Sequence, residues 1–306
     1  MCRGERMGKR MIGTLSSATP VLVQGIAGRM GRTHAGLMRA YGTNVVAGIA
    51  RAGVGAGVAR GGSEIDGVPI FPTPEAAVAA TGALVSVLFT PPLETLPAAL
   101  AALEAGIRLI VTVAEGVPAH DALRLGRAAK QAGAAWVGAS TPGLAIPGRI
   151  KLGFLPDAAL RPGRFGLMSK SGTLSYEVGY RLAQAGLGQS LWVGVGGDAV
   201  KGIRFAELVP IFAADPNTDA IVLVGEVGGT EEEEAAATYA ALNTAKPLLA
   251  LIAGREAKEG VAMGHAGALV HGASGTLIEK TRRLEAAGAR VFPTIAALIT
   301  ACAGLA

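Results

Sequence analysis

The chain has 306 residues, half of them hydrophobic and only 4% aromatic, with 45 glycines and a net charge of +5. That length suits about two domains, and the glycine-rich, aliphatic composition suits α/β architecture with glycines at βα turns. Much of the positive excess lies in Arg3, Arg6, Lys9 and Arg10, and so few aromatics argue against a base-stacking surface, so no nucleic-acid partner is expected.

Residues 1–14 read as a disordered leader. No apolar run follows their basic residues, so a secretory signal is not expected. Cys2 and Cys302 stand at opposite ends and define no disulfide framework or metal spacing, which fits a reducing compartment. The apolar run 291–306 is shorter than the roughly 20 residues of a spanning helix and reads as a strand and a docked helix. A cytoplasmic protein with no membrane partner is expected.

Residues 15–147 read as a first, Rossmann-like domain. The apolar run Val21-Leu22-Val23-Gln24 ends at Gly25-Ile26-Ala27-Gly28-Arg29-Met30-Gly31, a helical stretch follows over 33–41, and a second strand spans 44–49. Glycines at the first turn of such a βαβ unit let backbone N–H groups and a helix start hold a phosphate. The spacing is G-x-x-G-x-x-G, not the dinucleotide G-x-G-x-x-G, and ordinary turn chemistry also explains such glycines. The second strand ends at Ala50-Arg51, with Arg60-Gly61-Gly62 beyond. Arginines there suit an extra phosphate, as on NADP or coenzyme A, although a solvated loop explains either arginine singly. Strands over 83–89, 108–113 and 135–138 alternate with helices, predicting a parallel, doubly wound sheet.

Residues 148–306 read as a second, flavodoxin-like α/β domain, entered through Ile146-Pro147-Gly148. A strand over 165–168 meets Ser169-Lys170-Ser171-Gly172-Thr173 and then a helix over 174–185. Hydroxyls, a lysine and free N–H groups at a helix start make a phosphate cradle, against the plainer reading of N-capping. Neither the P-loop spacing nor the G-x-S-x-G elbow is present. A buried strand over 220–224 ends at Gly225-Glu226-Val227-Gly228-Gly229, which sets Glu226 at its carboxyl end. The acidic run 231–234 reads as structural, at a helix start capped by Thr230. After a strand over 248–253, His265 stands between small residues in Gly264-His265-Ala266-Gly267, uncovered and able to act as a nucleophile.

In this order, Gln24-Gly25-x-x-Gly28-x-x-Gly31, Thr112-x-x-Glu115-Gly116, Ser169-x-Ser171-Gly172-Thr173-Leu174-x-Tyr176-Glu177, Gly194-x-Gly196-Gly197-Asp198, Gly225-Glu226-x-Gly228-Gly229 and Gly264-His265-Ala266-Gly267 make the chain resemble the α subunits of succinate–CoA ligase from about residue 15 onward. The resemblance implies an NTP-dependent acid–CoA ligase of the tricarboxylic acid cycle type. In it His265 is transiently phosphorylated and Glu226 orients its imidazole. Ser169, Ser171, Gly172 and Thr173 hold the phosphoryl group. Coenzyme A lies on Gly25, Ala27, Gly28, Arg29, Met30, Arg60, Val113, Ala114 and Glu115, and Tyr176 sits near the acid. ATP or GTP with Mg2+ is then held by an ATP-grasp β subunit in a heteromer. The loop Gly138-Ala139-Ser140-Thr141-Pro142-Gly143 departs from the family's Gly-Pro-Asn-Cys-Pro-Gly, which leaves malate or another acid as an alternative to succinate. An NADP-dependent oxidoreductase and a non-catalytic CoA-binding protein are the readings from other classes.

Overall fold

The computed structural model describes residues 3–50, 64–254 and 275–305, with side chains from residue 8 onward. Its first element corrects the expected disordered leader: residues Arg3–Thr14 form helix α1. Gly8, Ile12 and Leu15 recur at helical spacing and are buried, a stripe that the intervening basic residues obscure. A Cβ at Gly8 would lie 2.7 Å from the backbone of Ala134, so the missing side chain lets the helix lie against the following strand start.

From there strands and helices alternate as β1 (Val21–Gln24), α2 (Arg29–Ala40), β2 (Val45–Ile49), β3 (Glu64–Ile65), β4 (Val68–Phe71), α3 (Pro74–Thr81), β5 (Val85–Leu88), α4 (Pro92–Glu104), β6 (Leu109–Thr112), α5 (Ala119–Ala132) and β7 (Ala135–Gly138). The sheet order is β3-β4-β2-β1-β5-β6-β7, parallel except for the antiparallel edge pair β3–β4. Strands β1, β5, β6 and β7 are buried at every residue, as a parallel sheet covered on both faces requires. Leu22, Leu88, Leu96, Ile110, Leu125 and Trp136 belong to one apolar cluster, each large side chain contributing about 1.5–3 kcal/mol on burial.

The second sheet comprises β8 (Gly143–Ile146), β9 (Ile150–Gly153), β10 (Pro162–Ser169), β11 (Gln189–Gly194), β12 (Ala220–Glu226), β13 (Leu248–Ala253) and β14 (Arg290–Phe292), in the order β14-β13-β12-β10-β11-β8-β9. Its helices are α6 (Gly172–Gln184), α7 (Phe205–Ala214), α8 (Glu231–Leu242), α9 (Leu277–Ala286) and α10 (Ile295–Ala303). Strands β10 to β14 run parallel, and β8 joins β11 antiparallel. Leu167, Val178, Trp192, Val222, Leu249 and Leu298 form the core of this half. Both α/β sheets thus agree with the expected fold class.

The stretch Ile146-Pro147-Gly148, expected as a domain boundary, is the turn between β8 and β9, with Gly148 at φ +77°. Two compact units emerge from the contacts: Met1–Gly143 with Arg149–Phe154 and Val200–Gly202, and Leu144–Gly148 with Leu155–Ala199 and Ile203–Ala306. Among the described residues no helix is long and apolar enough to cross a membrane.

Candidate functional site

In the first unit, β1 delivers the chain into the turn 25–28. Gly25 adopts φ +77°, and a Cβ there would lie 2.6 Å from the carbonyl oxygen of Phe89, so only glycine fits. Gly28 donates its N–H to Gly25 O at 3.0 Å and is the N-cap of α2. No side chain caps that helix and its first turn holds no acid, so the N–H groups of Arg29, Met30 and Gly31 present partial positive charge to an anion. Register pairs Gln24 with Leu88 and Leu88 with Thr112. The turn 25–30, the Phe89–Thr90 corner and Val113-Ala114-Glu115 therefore emerge from neighbouring strand ends, the edge where such sheets take ligands.

A cavity of about 550 Å³ opens on this edge, lined by Gln24, Gly25, Ala27, Gly28, Ile49, Phe89, Thr90, Pro91, Glu94, Pro97 and Ala98. Of these, Gly25, Ala27 and Gly28 were expected from sequence to touch the ligand, while the other wall residues, Gln24 and Phe89 among them, escaped sequence reasoning. Gln24 offered a signal: a polar residue closing an apolar strand needs partners, and its Nε2 donates to Ser86 Oγ at 3.1 Å and Ala98 O at 3.0 Å. Behind Phe89, His34 stacks at 5.6 Å with its ring tilted 9° from parallel. Burial, helped by the Lys151 charge, holds the His34 imidazole below its ordinary pKa. Arg60 lies outside the described residues.

In the second unit, β10 ends at Ser169, which pairs with Gly194 of β11 and Val224 of β12. Ser169 Oγ donates to Ser171 O at 2.7 Å. Ser171 is the N-cap of α6, its Oγ accepting the N–H of Leu174 at 3.3 Å. That cap leaves the N–H groups of Gly172 and Thr173 at a helix start without acidic residues in its first turn. Tyr176, one turn on, lies 6.3 Å from the Trp192 ring, and burial pushes its phenol up to about 12. It is therefore neutral at working pH.

Glu226 is the last residue of β12, buried, and paired in register with Ala253 at the end of β13. The same strand edge thus carries Ser169, Glu226 and the exit from β13 that leads toward His265. His265 lies outside the described residues. One sequence expectation fails here: the Lys170 side chain does not join the cradle. Its Nζ lies 3.0 Å from Glu232 Oε1 and 3.3 Å from Glu231 Oε2, buried with both. The acidic run at α8 accordingly does more than complement a helix dipole. Thr230 is the N-cap without a capping hydrogen bond, its hydroxyl donating to Glu234 Oε1 at 2.8 Å instead.

Comparison with known proteins agrees with this two-part arrangement. The CoA binding domain family matches residues 16–116 and the CoA-ligase family matches residues 168–290. A succinate–CoA ligase [ADP-forming] subunit alpha 2 of Archaeoglobus fulgidus is 43% identical, with 90% of this chain and 93% of that one covered. A malate–CoA ligase subunit alpha of Methylorubrum extorquens is 38% identical, with 91% and 93% covered. Among solved structures, ATP citrate lyase of Methanosaeta concilii in complex with (3S)-citryl-CoA gives a TM-score of 0.84 at 22% identity over 95% of this chain, a likeness of fold alone. The chain spans about half of that enzyme's length, 50%. Two matched halves in the expected order, and likeness across nine-tenths of the length, mean that the chain belongs to the α-subunit family of the succinate–CoA ligases.

Proposed function

We propose that the chain supplies the CoA site and the phosphoryl carrier of an ADP- or GDP-forming acid–CoA ligase, with the nucleotide held by a β subunit. The observation that carries this reading is the meeting of two features on one strand edge: Glu226 closing β12, and the α6 start with its free N–H groups. Both fall within the stretch that matches the CoA-ligase family.

In this mechanism Glu226 accepts Nδ1–H of His265, which fixes the tautomer and leaves Nε2 as nucleophile. Nε2 displaces the nucleoside diphosphate from the NTP γ-phosphorus, and the N–H groups of Gly172 and Thr173, with the Ser171 hydroxyl and the Ser169 hydroxyl once it turns from Ser171 O, stabilise the transferred phosphoryl. A carboxylate oxygen of the acid next attacks that phosphorus and frees the imidazole. The CoA thiol, delivered as thiolate, attacks the acyl carbon, and inorganic phosphate leaves with the C–O bonding pair. Splitting one difficult condensation into three displacements is the reason for the covalent intermediate. The CoA phosphates rest on the α2 start through the N–H groups of Arg29 and Met30, beside Ala27, with Arg60 and the segment 113–115 as further contacts.

Incubating the reconstituted pair with γ-labelled ATP or GTP tests the scheme. Label enters the parent chain and not His265→Asn; equal labelling of the variant would refute it. Succinate is the leading acid. A second reading, malate or a related acid, stays open because the loop 138–143 departs from the family's sequence; Thr141 there is buried and its Oγ1 accepts the N–H of Gly143 at 2.9 Å. Thioester formation across a panel of dicarboxylic acids decides between them.

A further inference from the structure

Beneath the end of β12 lies an ionic cluster that this mechanism does not use. Lys170 branches from the backbone between Ser169 and Ser171, and its own N–H donates to Val224 O at 3.1 Å. Its Nζ reaches Glu232 at 3.0 Å. From α9, Lys280 pairs with Glu232 Oε2, donates to Gly228 O at 2.9 Å and lies 3.5 Å from Glu233 Oε2. Glu232 Oε1 also accepts the backbone N–H of Glu226 at 3.1 Å. A Cβ at Gly225 would come within 2.6 Å of Glu232 Oε1, so the glycine admits the carboxylate under the strand end.

Side-chain exposure is 0% for Lys280 and Glu232 and 4% for Lys170. Ion pairs so deep are poor devices for stability alone, because apolar side chains of similar volume generally serve as well or better. What they provide is directional attachment of three backbone segments to one carboxylate. We propose that Lys170, Glu232 and Lys280 are positioning residues of the ligase site, a buried ionic tie that holds the backbone of Glu226 in register with the turn 169–172. The inference rests on the roles given above to Glu226 and the α6 start. By this tie the separation between the orienting carboxylate and the phosphoryl-holding N–H groups stays constant through turnover. Burial alone would strip the Lys170 charge, but the carboxylates of Glu232 and Glu231, with Glu226 beyond, outweigh it and raise its pKa, so the ammonium persists.

The test measures single-turnover phosphorylation of the reconstituted enzyme by γ-labelled ATP, alongside CoA affinity by calorimetry. Lys170→Met slows labelling by about 10- to 100-fold, the usual cost of losing an orienting partner, with CoA affinity unchanged. Lys170→Arg, which keeps the charge, recovers most of the rate. Glu232→Gln keeps an acceptor for the Glu226 N–H while removing the charge that holds both lysines; it slows labelling likewise, and it carries the test if Lys170→Met does not fold. Folded variants that label at the parent rate overturn the proposal, and so does an arginine variant as slow as the methionine one. His265→Asn separates the two levels. If it still takes up label, the phosphohistidine reading has failed. If it is silent while Lys170→Met labels normally, only the ionic tie has failed.

Discussion

At Gly31 an added methyl group would lie 2.7 Å from the carbonyl carbon of Gly25, closing the turn on itself. Gly31→Ala is therefore expected to cost about 1–3 kcal/mol of stability in urea unfolding, the usual range for forced overpacking. It should also weaken CoA binding by about tenfold or more, roughly 1.4 kcal/mol. A folded variant with parental CoA affinity would show that the phosphates rest elsewhere. The glycine spacing was legible in the sequence because Gly25 and Gly31 answer backbone demands that other residues do not meet, Gly25 through its φ of +77° and Gly31 through its close approach to Gly25. Lys170 was misread for the opposite reason. Its neighbours Ser169 and Ser171 face the helix start, while the long side chain between them is drawn away by carboxylates some sixty residues later, a direction that local sequence does not encode.

Among the elements, α1 yields the sharpest contrast between expectation and structure. If residues 3–14 are a docked helix, Ile12→Ala removes a wholly buried side chain and lowers stability by about 2–4 kcal/mol, measured by denaturant midpoint. A disordered leader would leave the midpoint unmoved. The long parallel strands were legible because their apolar runs are continuous: β13 spans the residues expected, 248–253. Three kinds of element were not. Strand β3 has only two residues, and β8 and β9 each carry a glycine at one end and flank the stretch 146–148 that reads as a boundary. Helix α7 carries Pro210 in its interior. Helix α4 carries Pro97 in its interior, which hides its start at Pro92. Of the candidate site, the strand ends could be placed from sequence, whereas the cavity wall of Gln24, Ile49 and Phe89 depends on which strands become neighbours.

For the whole molecule, two buried groups lower stability on the alkaline side. Burial raises the Cys302 thiol to about 12, slightly offset by Arg290, and Lys170 is raised above 10.5. In each case the folded state holds its proton more tightly than the unfolded chain does. Their contributions are complete below pH 9 and 10.5 respectively, and fade as pH climbs through the folded values. Denaturant unfolding between pH 8 and pH 11 should show falling stability, with Cys302→Ala flattening the earlier part; stability that rises over this range would contradict both assignments. The interleaving of the two units bears on dissection. Thr43 Oγ1 donates to Lys151 O at 2.7 Å and accepts its N–H at 3.1 Å, and Gly153 N–H points to Met38 Sδ at 3.3 Å. A fragment ending at residue 147 forfeits these bonds, so the natural place for scissors is downstream of Phe154. Even there the excised piece lacks the short returning thread Val200–Gly202. Shuffling such halves between relatives by a single crossover at the β8–β9 turn would leave each product missing part of its own lining.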